Sequence, residues 1–111
     1  MAVDQYRVKF RSDGLGGWVD YEEQALTLAF PWERTILGFT VEIPLSKEWN
    51  DFCDLNNALA AKSRRAIILN RIGKAAAREY WGGIYSIGER EIDVRRPSIL
   101  RILERWRKRA N

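Results

Sequence analysis

From residue 5 to residue 43 apolar and polar side chains alternate in short runs, and this period of two constrains the fold more than any other feature. In residues 5 to 11, Tyr6, Val8 and Phe10 fall on one side and basic residues on the other. Residues 12 to 17 follow with three glycines and an aspartate, a turn composition, and residues 18 to 22 resume an extended pattern, which predicts a hairpin. Residues 25 to 30 read as a third strand, residues 31 to 34 punctuate it, and residues 35 to 43 carry Leu37, Phe39, Val41 and Ile43 inward as a fourth. Connections this short cannot hold parallel crossovers, so the strands are expected to be antiparallel.

After Pro44 the period changes. Ser46 is placed to cap a helix, and Asn56 and Asn57 offer a second cap before a stretch from 58 to 80 that reads as one long helix. At 100° per residue Ala61, Ile68, Leu69, Ile72, Ala75, Ala76 and Tyr80 share an apolar arc suited to lie across the sheet, with Gly73 a minor weakness in it. Trp81, Gly82 and Gly83 supply the helix stop. Residues 84 to 87 and 91 to 95 then predict a second hairpin, and from Pro97 onward Ile99, Ile102, Leu103 and Trp106 line one face of a terminal amphipathic helix with Arg101, Arg105 and Lys108 opposite. The expected architecture is α+β: an antiparallel sheet of about four strands covered by one long helix, plus a C-terminal hairpin and amphipathic helix. No linker or repeat divides residues 1 to 111, so one domain is expected.

Composition excludes more than it identifies. The 111 residues contain no histidine and a single cysteine, Cys53. His-dependent triads, the usual zinc ligand sets and disulfide frameworks are therefore out of reach, and no cofactor or metal is expected. Asp51 and Asp54 flank Cys53 and would raise its pKa, so an inert thiol is expected. The glycines at 14, 16 and 17 lack the lysine and serine of a phosphate loop. Glu22, Glu23, Glu33, Glu42 and Glu48 offer paired carboxylates, but no spacing selects a catalytic pair. No apolar run approaches the roughly 20 residues of a membrane span, and the first ten residues do not form an apolar leader segment, so a cytoplasmic domain without a membrane partner is expected.

Charge is polarised along the chain. Residues 1 to 56 carry five basic and ten acidic side chains, whereas residues 57 to 111 carry fourteen basic and five acidic. Arg64, Arg71 and Arg78 recur every seven residues with Lys74 between them, which predicts a basic stripe on the helix face opposite the apolar arc, with Ile67 set among the cations. Such a stripe is either a solvated face or a contact surface for an anionic partner, and nucleic acid held by Arg64, Arg71, Lys74, Arg78 and Arg101 is one such partner. Glu48, Trp49, Asp51 and Asp54 form a second cluster. If Trp49 is exposed, an aromatic ringed by acids suits docking on a basic protein; the alternative is a capped helix with Trp49 buried.

A strand-rich half containing Tyr21-Glu22-Glu23, a segment leading to Glu48-Trp49, and a helix reading Arg64-Arg65-Ala66-Ile67-Ile68-Leu69-Asn70-Arg71-Ile72 together resemble small bacterial immunity proteins over residues 18 to 80. Those proteins neutralise polymorphic toxins delivered by contact-dependent or type VI secretion. The resemblance implies a chain without an active site that occludes a cognate toxin through a charge-complementary interface. It points to surfaces and to no catalytic residue.

Overall fold

A computed structural model describes residues 5–24, 26–80 and 83–96. The terminal helix expected after Pro97, with Arg101 and Trp106, and the stop at Trp81 and Gly82 lie outside the described residues. Six strands form one antiparallel sheet: β1 (Arg7–Ser12), β2 (Gly16–Glu23), β3 (Leu26–Arg34), β4 (Gly38–Glu42), β5 (Ile84–Ile87) and β6 (Glu91–Arg95), in the order β1-β2-β3-β4-β6-β5. Among the described residues two α-helices, α1 (Trp49–Leu55) and α2 (Arg65–Glu79), accompany it. The α+β class and the antiparallel pairing agree with expectation. The second hairpin extends the main sheet through β4–β6 pairing, from Gly38↔Arg95 to Glu42↔Glu91, and so raises the strand count from about four to six.

Alternation decides the inner face. Val19, Tyr21, Leu28, Phe30, Phe39, Val41, Ile92 and Val94 are buried on one side of the sheet against Ile68, Leu69, Ile72 and Ala76 of α2. Burying the valine, leucine, isoleucine and phenylalanine side chains among them contributes about 1.5–3 kcal/mol each, which is why the period-two pattern fixes the register so firmly. The first hairpin turns at Gly14, whose φ of 111° is open to glycine and strained for other residues.

Two boundaries differ from the sequence reading, each for a local reason. Proline does not interrupt β3, which continues through Pro31 to Arg34. The β3–β4 ladder covers only Trp32 to Arg34, so the N–H that Pro31 lacks is not needed by a neighbouring strand. The single helix expected over 58–80 is instead a 3₁₀ turn, Leu59–Ala61, followed by α2. In a continuous helix the Ala61 carbonyl would accept from residue 65; here it accepts from the Arg64 N–H at 3.0 Å and from Trp49 Nε1 at 2.9 Å. Neither expected cap acts as one. Ser46 opens a 3₁₀ turn before α1 and binds Glu89, while Asn57 reverses the chain at a φ of 53°.

Gly73 is a packing requirement. A Cβ there would meet the Tyr85 ring at 2.3 Å, and the Tyr85 hydroxyl hydrogen-bonds Asn70 Oδ1 at 3.1 Å, so the missing side chain lets α2 lie close on β5.

Candidate functional site

The expected basic stripe divides. Arg64 and Arg71 do not project from the outer face of α2; their side chains are only 14% and 17% exposed, and both turn toward Glu23 at the end of β2. Arg64 Nη1 pairs with Glu23 Oε1, and Arg71 Nη1 donates to Glu23 Oε2 at 3.1 Å and to the Tyr21 hydroxyl at 2.9 Å. Tyr21 in turn donates to Glu23 Oε2 at 2.5 Å. Tyr6 covers the cluster, stacking on Tyr21 and lying under the Arg71 guanidinium at 4.5 Å. Seven-residue spacing does place Arg64 and Arg71 on one strip, but the strip borders the core and a buried carboxylate draws it inward.

The electrostatics of this cluster are those of a structural lock. Burial alone would raise the Glu23 carboxyl, but the Arg64 hydrogen bond, the Tyr21 hydroxyl and the two guanidinium charges outweigh it and hold the carboxyl below its ordinary value. Burial and the bond to Glu23 push the Tyr21 phenol up. Both guanidinium groups are paired with Glu23, so among the described residues they do not form an exposed basic patch.

Lys74 and Arg78 are exposed on α2, and Ile67 beside them is 49% exposed. They are what remains of the stripe on the described surface.

The acidic cluster divides as well. Trp49 is 2% exposed, stacked near Phe30 and bonded to Ala61, so the buried reading holds and Trp49 leaves the surface. Cys53 is buried beside it, and burial followed by the Asp54 charge pushes its thiol up. Helical spacing sends Glu48, Asp51, Phe52 and Leu55 to the other side of α1. Asp54 is exposed too, and pairs with Lys62 at 2.6 Å.

That outer side of α1 lines a groove of about 560 Å³. Ala29, Phe30 and Pro31 of β3 form one wall, and residues 42 to 45 leaving β4 form the other. Arg65 fixes the second wall by donating to the Pro44 carbonyl at 2.9 Å, and Glu89 holds Ser46 through its backbone N–H at 2.8 Å. The Ser46 bonds, backbone first, keep the Glu89 carboxyl below its ordinary range. Glu42, Glu48 and Asp51 stand at the rim, Arg90 is the one cation among the lining residues, and Leu55 is 84% exposed. Sequence reading missed Glu42, Phe52 and Leu55 as partners of Glu48 and Asp51. The i, i+3, i+4, i+7 spacing of 48, 51, 52 and 55 was the available signal for Phe52 and Leu55; Glu42 comes from another element and left none.

Among the described residues no helix is long and apolar enough to cross a membrane, and no group of three or more Cys, Asp or Glu could hold a metal ion. The chain matches no family model, no curated protein and no solved structure.

Proposed function

We propose that this chain is a cytoplasmic protein-interaction module, without catalytic activity, that holds a basic protein through the groove beside α1. The proposed partner is a cognate toxin, the role implied by the resemblance to immunity proteins. One observation carries the reading: three carboxylates, Glu42, Glu48 and Asp51, rim an apolar groove in which Leu55 is 84% exposed. An apolar centre with a charged rim suits a protein interface, where buried anchors give affinity and the rim steers encounter. Nucleic acid is the weaker reading, because Arg64 and Arg71 are bound to Glu23, leaving Lys74 and Arg78 as its exposed cations on α2.

Co-expression with the products of the adjacent genes tests this function. The account expects one of them to be toxic alone, harmless with this chain and purified in complex with it. If none is bound or inhibited, toxin neutralisation is wrong.

A further inference from the structure

Strands β3 and β4 separate partway along the sheet. Their pairing runs only from Trp32↔Val41 to Arg34↔Phe39, after which β4 follows β6: the Ile43 N–H donates to the Arg90 carbonyl at 2.9 Å. Among the described residues, 26 to 31 of β3 therefore have a strand neighbour on the β2 side only, through an unbroken register from Leu26↔Glu23 to Glu33↔Gly16.

Backbone alternation shows which groups face the gap. The Arg34 N–H donates toward β2, to the Leu15 carbonyl at 2.8 Å, and the Thr35 N–H donates toward β4, to the Gly38 carbonyl at 2.9 Å. With no bulge in the register, odd-numbered residues of β3 direct both backbone groups away from β2. Thr27 and Ala29 thus present an N–H and a C=O each to the gap, and Pro31 presents a C=O alone. Ala29 and Pro31 line the groove itself.

We infer that the groove takes its partner by strand addition: an extended segment of a basic protein pairs with Thr27–Pro31 of β3. Its alternate side chains reach opposite faces of the sheet: one set lies along α1, against Phe52 and Leu55 with Glu48 and Asp51 beside them, and the other set, cationic, lies on the side of Glu42. Main-chain bonds along β3 supply register, and the alternate side chains supply selectivity. The acidic rim commits the occupant to a cationic peptide and discriminates against an acidic one. This inference rests on the proposed protein-binding role and specifies how the same groove works.

The probe is a synthetic hexapeptide of alternating valine and lysine, titrated into the isotope-labelled full chain and followed by NMR. The expected result is movement of the Thr27 and Ala29 amide signals with slowed hydrogen exchange at both, and no such change with the valine–glutamate counterpart. N-methylating one alternate set of peptide nitrogens should weaken binding about fivefold or more, while methylating the other set leaves it unchanged. Ala29→Pro, with its fold checked by its own amide spectrum, should weaken binding by a similar factor, because the N–H it removes faces away from β2. Equal binding of both methylated peptides would overturn strand addition and leave the groove as the docking site. Absence of shifts in the groove at millimolar peptide would overturn both.

Discussion

Arg71 Nη1 stands 3.1 Å from Glu23 Oε2, 48 positions earlier in the chain, where the Glu23 side chain is only 3% exposed. With Arg64 on the other carboxylate oxygen, this contact ties the N-cap and the second turn of α2 to the end of β2. Removing the carboxylate leaves two guanidinium groups facing each other, and Arg64 Nη2 is already buried without a hydrogen-bond partner among the described residues. Glu23→Ala should therefore lower stability by about 3–5 kcal/mol, read from urea unfolding.

The same cluster sets a pH dependence. Because the folded Glu23 carboxyl lies below its ordinary value, its contribution is complete above the unfolded glutamate pKa of about 4.3 and is lost as pH falls through the lower folded value. Tyr21 acts at the other end of the scale. Its raised phenol pKa gives stability that is complete below about 10 and lost as pH rises through the folded value. Thermal midpoints across the acid limb should fall less steeply in Glu23→Gln than in the parent.

Gly73→Ala sets two effects against each other. Alanine improves helix propensity by about 1 kcal/mol, but its Cβ would lie 2.3 Å from the Tyr85 ring, and overpacking costs about 1–3 kcal/mol. The variant should be net destabilised by roughly 1 kcal/mol. In the Tyr85→Ala background the same substitution should turn neutral or stabilising, a sign change that a double-mutant cycle reads directly.

Cys53 is buried, with its thiol pushed up first by burial and then by Asp54. Thiol reagents at neutral pH should label it slowly in the native protein and rapidly in denaturant. Fast native labelling would contradict its placement in the core.

The strands were legible because a half-buried strand must alternate, and the second hairpin carried the same signature, so Ile84–Ile87 and Glu91–Arg95 fall where the pattern puts them. Where that hairpin attaches was not legible, since pairing with β4 depends on Val41 and Ile92 meeting across the chain. The break before α2 was hidden for a similar reason: it depends on Trp49 reaching the Ala61 carbonyl, a contact between residues 12 apart. Spacing put Arg64 and Arg71 on one strip but could not say which way it faced; Glu23, far away in sequence, decides that. Glu48 and Asp51 were legible as an acidic cluster because they share a helix. Their apolar neighbours across the groove were not, because Pro31 and Ile43 come from strands that separate only in three dimensions.

The central claim is that the acidic rim, and not the remaining cations of α2, holds the partner. Calorimetric titration of the co-purifying adjacent-gene product measures it most directly, comparing the parent chain with Glu48→Lys/Asp51→Lys and with Lys74→Glu/Arg78→Glu. The account predicts at least a tenfold loss of affinity for the first double variant, a loss in the parent as salt rises, and near-parent affinity for the second. Unchanged binding by the first variant, or abolition by the second, would contradict it.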